Sequence, residues 1–248
     1  MSVGDLPSTV RPLTARSVVL STLLGYHPPE LPVSALVRVG GLFGLAEGAV
    51  RVALGRMVAD GDLVVSGRTY RLAERLVARQ RRQDEACSPR TKAWRGAWET
   101  EIVTAPPRPL AERVALRRSM AALRLAELRE GVWMRPANLV RERHATALEQ
   151  CTFFLARPQD DPAELAGRLW DLDAWARETH RLYAALDRVD GLVQGFMLTA
   201  ELLHHLLVDP VLPAELLPSD WPGTSLRQRY AEFSVAYAEM LRAYSSQP

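Results

Sequence analysis

The sequence contains little cysteine and lysine and no long apolar run, and these absences argue against several classes of protein. Its two cysteines, Cys87 and Cys151, form no C-x-x-C motif, so neither a zinc ribbon nor a disulfide scaffold is expected. The longest apolar candidate, residues 191–208, is broken by Gln194, Glu201 and two histidines, which argues against a transmembrane span. The first ten residues hold no basic segment followed by an apolar core, so we expect no secretory signal and a cytoplasmic location.

Charge is distributed unevenly along the 248 residues, a length that suits two or three small domains. Residues 1–97 carry 14 basic and 8 acidic side chains, a net charge of +6, whereas the remainder carries 17 and 21, a net charge of −4. Every basic residue except Lys92 is arginine, which suits bidentate contacts with phosphate and guanine. A GC-rich genome would produce the same arginine bias, but the basic first third predicts a polyanionic partner for that third.

The first third shows the pattern of a winged helix-turn-helix, in which three helices precede a tight hairpin. Helices are predicted over residues 14–25, 33–39 and 45–60. Two short strands, Leu63–Val65 and Thr69–Leu72, flank Ser66-Gly67-Arg68 and form the predicted wing. The third helix has a predicted apolar face made of Val50, Ala53, Leu54, Met57 and Val58.

The outer face of the third helix carries the residues that point to DNA. Arg51 and Arg56 are expected to enter the major groove and pair with guanine O6 and N7. Arg68 and Arg71 on the wing, with Arg16 near the first helix, are expected to hold phosphates. The predicted DNA-binding residues are Arg16, Glu47, Arg51, Val52, Gly55, Arg56, Arg68 and Arg71. Two other interpretations stay open: a merely solvated face, or a winged helix that docks onto protein.

The rest of the chain predicts an α+β domain followed by a helical one. Strands are predicted over 98–104, 132–134 and 151–155, and a helix over 110–128, which together suggest a ferredoxin-like domain. Later helices are predicted over 163–187, 189–208 and 225–244, with an extended proline-rich segment before the last. We therefore predict a winged-helix domain with a connector helix at 1–88, a central domain at 89–160, and a helical effector or dimerisation domain at 161–248.

Four segments in chain order carry a resemblance to a known family. They are Leu45–Val58, Trp94-Arg95-Gly96-Ala97-Trp98, Glu127–Pro136 and Asp209–Gly223. They resemble the recognition helix, the W-x-G-x-W motif, the GVW-x-x-P strand and the DP-x-LP-x-x-LLP-x-x-WPG stretch of the PaaX family, bacterial repressors of phenylacetate-degradation operons. Ala46 and Gly55 depart from the serines common in that family, and the missing helix cap costs about 1 kcal/mol. Both changes bear on which operator is read.

The resemblance implies a three-part α+β protein with a winged helix, a ferredoxin-like domain similar to that of Cas2 nucleases, and a helical C-terminal domain. It also implies a homodimer in the bacterial cytoplasm, at the nucleoid when bound, that represses a catabolic operon. The partner is then a double-stranded DNA operator, released when an acyl-CoA such as phenylacetyl-CoA binds. No cofactor and no membrane are implied.

An acyl-CoA needs cationic anchors for its phosphates and an apolar slot for its acyl group. Candidate ligand-binding residues in the later domains are Trp133, Arg135, Trp175, Arg181 and Tyr183. The same aromatic side chains would equally suit a hydrophobic core. The sequence leaves open the operator, the effector, the residues of the dimer interface, and the choice between repressor and activator.

Catalysis is not expected, and neither catalytic residues nor a metal site is predicted. Glu201 and His204 share a helical face with His205 adjacent, yet no other dense cluster of metal ligands accompanies them. Neither a G-x-S-x-G motif nor a glycine-rich phosphate loop occurs. A metal-dependent nuclease is a further alternative, because the central domain resembles that of Cas2 nucleases. Such enzymes carry an acidic residue at the end of their first strand. The predicted first strand here, Glu99–Thr104, has no aspartate at its end, which weakens this alternative.

Overall fold

The structure is a computed structural model that describes residues 13–245, so the prediction about a secretory signal lies outside the described residues. The predicted mixture of helices and strands is confirmed, with two small antiparallel sheets. The chain divides into two compact units. The first unit holds the described residues up to Arg82, together with Asp190–Phe196 and those from Ala231 onward; the second holds Gln83–Val189 and Met197–Tyr230.

Three helices open the first unit: α1 (Ala15–Leu24), α2 (Val33–Leu42) and α3 (Glu47–Ala59). The α1 helix begins at a capping box in which the Thr14 hydroxyl accepts from the Ser17 backbone at 3.1 Å. The α3 helix follows Ala46, which supplies no side-chain cap, as the sequence predicted.

A three-stranded antiparallel sheet completes this unit, with the order β1-β3-β2. Its strands are β1 (Glu30–Pro32), β2 (Leu63–Ser66) and β3 (Thr69–Leu72). The predicted hairpin is confirmed, but Ser66 belongs to β2, so only Gly67 and Arg68 form the turn. The short β1 strand was not predicted, because the prolines around it hide the alternation of a strand.

The core of the first unit lies between α1, α2, α3 and the sheet. The α3 helix contributes Val50, Leu54 and Met57 at the spacing that the sequence predicted. Val58, which was also expected in the core, is exposed. A neighbouring aromatic cluster joins Phe43, just after α2, to Phe196 with ring centroids 4.8 Å apart.

The second unit contains a four-stranded antiparallel sheet with the order β5-β6-β4-β7. Its strands are β4 (Trp98–Val103), β5 (Ala126–Arg129), β6 (Val132–Pro136) and β7 (Cys151–Ala156). The helices α5 (Leu110–Ala122) and α6 (Ala145–Gln150) give the chain order β-α-β-β-α-β. The prediction of one helix over 110–128 is wrong, because Arg124 turns the chain with a φ of 56° and a strand follows.

The remaining helices are α4 (Glu74–Cys87), α7 (Pro162–Leu169), α8 (Leu172–Leu186), α9 (Leu192–Leu207) and α10 (Gly223–Ser245). The predicted helix over 163–187 is in fact two helices, since Asp171 caps a new start by accepting from the Ala174 backbone at 2.8 Å. A single 3₁₀ turn, Ala214–Leu216, interrupts the extended proline-rich segment. None of the helices in the described part of the chain is long and apolar enough to cross a membrane.

Candidate nucleic-acid interface

The side of α3 opposite its core face forms a continuous exposed stripe. Six residues at helical spacing make up this stripe: Gly48, Arg51, Val52, Gly55, Arg56 and Ala59. Val52 is 55% exposed, the largest apolar side chain of the stripe. The stripe therefore combines two cations with small residues and one isolated apolar group.

The two glycines of the stripe are not required by packing against any part of the chain that the structure describes. A Cβ atom added at Gly48 or at Gly55 would meet nothing within 4 Å. Glycine in a helix costs about 1 kcal/mol relative to alanine. Their effect is to leave the α3 backbone open to close approach by another molecule.

Arg51 is held by an acidic neighbour on the same helix. Its Nε and Nη2 atoms each lie 2.7 Å from Oε1 of Glu47, one turn toward the N-terminus. Both side chains are more than half exposed, so the pair is worth little for stability. Arg56, by contrast, is exposed and forms no ion pair with any residue that the structure describes.

The hairpin places Arg68 in its turn and Arg71 on β3, and both are exposed. Neither arginine is ion-paired within residues 13–245. The Arg68 carbonyl accepts from the Val33 backbone at 3.0 Å, which fixes the turn to the start of α2. The hairpin therefore exposes two arginines that have no ion-pair partner among the described residues, and a backbone hydrogen bond holds its turn in place.

Arg16 lies in an ion cluster that the sequence did not reveal. Its Nη1 is 2.9 Å from Oδ2 of Asp60, and its guanidinium also pairs with Asp62. Asp62 is almost fully buried and pairs with Arg75 of α4 as well. The Asp60-Gly61-Asp62 segment looks like an ordinary polar turn in the sequence, so nothing there signalled this cluster. Because two aspartates already pair with Arg16, this arginine is less available to a phosphate than Arg56, Arg68 or Arg71.

The predicted ligand-binding residues fall into two groups. Trp133 and Arg135 lie on β6, where Trp133 packs into a cluster with Leu116 and Met120. Arg135 is fully buried and donates to the carbonyl of Val211 at 3.1 Å and to Oδ1 of Asn138 at 2.9 Å. Burial lowers the pKa of Arg135 to about 9. Its donors are committed to the protein interior.

The other three predicted ligand-binding residues lie on α8. Trp175 is stacked between His205 at 4.3 Å and Trp221 at 4.6 Å, measured between ring centroids. Arg181 is exposed and pairs with Glu178 at 2.7 Å. The Tyr183 hydroxyl is buried, yet it makes no hydrogen bond within the described part of the chain, and burial raises its pKa.

The two carboxylates of β4, the strand to which the nuclease alternative referred, are already bound by arginine. Glu101 on β4 is buried and receives two hydrogen bonds of 2.8 Å from Arg143, and Glu99 pairs with Arg141 at 2.7 Å. His205 is buried against Trp175, whereas Glu201 and His204 are exposed and Glu201 lies 3.4 Å from Arg181. Within residues 13–245, three or more histidine, cysteine, aspartate or glutamate side chains nowhere gather as a metal site would require.

The chain is similar to known proteins both in sequence family and in solved structure. A family model described as PaaX-like protein matches residues 14–76, and one described as PaaX-like protein C-terminal domain matches residues 170–247. The uncharacterized protein Rv0674 from Mycobacterium tuberculosis has a similar solved structure, with 48% sequence identity and a TM-score of 0.81. The match covers 93% of this chain and 98% of that chain. No curated protein matched the sequence.

Proposed function

The chain belongs to the PaaX-like proteins, a generally regulatory family, and from this premise we propose that it is a DNA-binding transcriptional regulator. The first unit is a winged helix-turn-helix in this proposal, with α3 as the recognition helix and the β2–β3 hairpin as the wing. The order β-α-β-β-α-β and the strand order β5-β6-β4-β7 support a ferredoxin-like, Cas2-like domain in the second unit.

The exposed stripe of α3 is the observation that carries this proposal. It offers Arg51 and Arg56 to the guanine O6 and N7 acceptors of the major groove. Its glycines let the helix backbone come close to the base edges. Arg68 and Arg71 on the hairpin bind phosphates and fix the orientation of the helix, with a weaker contribution from Arg16.

The regulator acts as a homodimer in this proposal, as the family resemblance implies. A two-fold dimer reads an inverted repeat whose half-sites lie about one helical turn apart, or a multiple of it. Binding then weakens steeply with added salt, because each phosphate contact releases counterions from the duplex.

The regulator is a repressor in this proposal, and an acyl-CoA such as phenylacetyl-CoA releases it from the operator. The α8 residues Arg181 and Tyr183 support this part best, since Arg181 is an exposed cation and the Tyr183 hydroxyl is buried without a hydrogen bond in the described part of the chain. Trp175 contributes no free ring face, because His205 and Trp221 cover both of its faces. Release requires that the ligand binds more tightly to a conformation that fits the half-sites poorly. Calorimetry with phenylacetyl-CoA tests this part. Heat of binding together with loss of operator affinity supports it, and the absence of both effects contradicts it.

DNA binding is tested by fluorescence anisotropy with the duplex upstream of the protein's own gene and a scrambled duplex. We expect preference for the first duplex and a loss of at least tenfold in affinity for Arg56→Ala, roughly the value of one bidentate guanine contact. Arg188→Ala, an exposed arginine in the second unit, is the matched control and leaves binding unchanged. Binding to neither duplex at low salt contradicts the proposal and favours a protein-docking winged helix.

A further inference from the structure

We infer that Glu47 and Val52 determine which base pairs α3 reads, so that each half-site contains a cytosine, a guanine and a thymine at defined positions. The inference rests on the proposed function and assigns a role to the acidic residue beside the stripe and to the largest apolar residue within it. Arg51 reads the guanine, Glu47 the cytosine and Val52 the methyl group of the thymine.

A carboxylate on a surface that meets phosphates is electrostatically unfavourable unless it has a specific partner. Glu47 lies in the first turn of α3, exposed and next to the stripe. In helix-turn-helix proteins the first residues of the recognition helix are those that reach the base edges. Glutamate accepts from the N4 amino group of cytosine, whereas adenine presents its N7 acceptor beside its N6 donor, so cytosine is the partner that Glu47 selects.

The pairing between Glu47 and Arg51 prepares both side chains for this role. Both arginine contacts converge on Oε1 of Glu47. A carboxylate has about four acceptor positions and a guanidinium has five N–H donors, so each group keeps capacity for a base. Residues four apart on a helix are separated by about 6 Å along its axis, which corresponds to about two base-pair steps of 3.4 Å. Glu47 and Arg51 therefore read bases within about two steps of each other.

Val52 is an exposed apolar side chain with glycine on either side along the stripe. Gly48 lies four residues before it and Gly55 three residues after it, so the valine methyls project without neighbours at those positions. The C5-methyl group of thymine is the apolar feature of the major groove, and contact between it and an apolar side chain is a recurrent mode of recognition. The two glycines give this contact room by letting the helix approach the groove.

The experiment is selection from a randomised duplex pool with the full chain and three variants, Glu47→Gln, Val52→Ser and Glu74→Gln. Glu74 is the matched control, because it is an exposed glutamate that pairs with an arginine, Arg81, away from α3. We expect the unaltered chain to select guanine and cytosine within two steps of each other, with thymine beside them. Glu47→Gln should reduce the preference for cytosine by about tenfold and shift it toward adenine, the base that glutamine pairs with. Val52→Ser should relax only the thymine position, and Glu74→Gln should change no position.

The outcomes separate this inference from the proposed function. If Glu47→Gln keeps the cytosine preference and tightens binding to every sequence alike, Glu47 only restrains Arg51 and the inference is overturned. An unchanged thymine preference in Val52→Ser overturns the assignment of Val52. If the unaltered chain enriches no sequence, the proposed function fails together with the inference. Both positions are exposed, so thermal melting of each variant is expected to match that of the unaltered chain.

Discussion

Arg16 in the first turn of α1 donates to Asp60, the residue at which α3 ends, with 2.9 Å between Nη1 and Oδ2. The same guanidinium pairs with the buried carboxylate of Asp62, which also pairs with Arg75. One buried carboxylate therefore connects α1 and α4 at the C-terminal end of α3. This cluster fixes the end of the helix that we propose enters DNA.

Asp62→Asn is expected to destabilise the protein by roughly 1–3 kcal/mol, because it removes the charge of a buried carboxylate that pairs with two guanidinium groups. Asp60→Asn is the matched control, since Asp60 is exposed and its ion pair is worth at most about 1 kcal/mol. Urea denaturation measures both changes. Equal effects of the two substitutions would show that the burial of Asp62 contributes nothing.

Arg51→Ala and Arg68→Ala are expected to weaken DNA binding in different ways. Loss of Arg51 costs roughly 1–3 kcal/mol on the cognate operator and little on a scrambled duplex, because a base contact disappears. Loss of Arg68 weakens binding to both duplexes about equally and lowers the slope of affinity against salt by about one. Titrations of both duplexes at several salt concentrations measure this, and identical losses for the two variants would refute the division of roles.

His205 is expected to make the second unit less stable in mild acid. Burial lowers the pKa of His205 below its ordinary value of 6.5, so the folded state releases a proton that the unfolded chain holds. The stability linked to this group is complete above about pH 6.5 and is lost as the pH falls toward the lower pKa of the folded state. Melting temperatures at about pH 7.5 and about pH 5.5 measure the loss.

His205→Gln is expected to flatten this pH dependence, although the variant is less stable at neutral pH. His204→Gln, the exposed neighbour, is the control and should leave the pH dependence as it is. The explanation fails if the two histidine variants respond to pH in the same way.

Arg135→Ala is expected to lower the stability by about 3 kcal/mol or more, since it leaves a buried acceptor unpaired and opens a cavity. The Asn138 amide oxygen loses its donor at 2.9 Å, whereas the Val211 carbonyl loses the Arg135 donor at 3.1 Å and keeps Nδ2 of Asn138 at 3.0 Å. Arg135→Lys should restore little of this, because one ammonium group lacks the fork of donors that reaches both. Denaturant midpoints of both variants check the prediction, and a stability change below about 1 kcal/mol for alanine would contradict it.

Periodicity made α3 predictable from the sequence, because its core residues recur at helical spacing and leave a polar stripe between them. The β2–β3 hairpin was equally visible through Gly67 at its turn. Local signals of this kind depend on neighbouring residues, so one sequence is enough to show them. The candidate cations on α3 and the hairpin followed from the same two elements.

Features set by distant contacts escaped prediction. The end of α5 depends on Arg124, which has a positive φ although it is not a glycine. Because no glycine marks this turn, the predicted helix extended into the residues that form strand β5. Arg135 looked like a surface cation available to a ligand, whereas Asn138 and Val211 enclose it. The ion pairs of Asp62 could not be predicted either, because its partners Arg16 and Arg75 come from other parts of the sequence and meet it only in the folded chain.

The aromatic contact between Phe43 and Phe196 has a consequence for protein engineering. The unit that contains α3 is assembled from three stretches of polypeptide, including residues around Phe196 and the last part of α10, where Tyr237 packs beside Val18 and Val39. A chimera that exchanges only the first 88 residues for those of another regulator would combine unmatched aromatic partners. Transfer of operator preference between relatives therefore calls for grafting the stripe of α3 alone, or for moving all three stretches together.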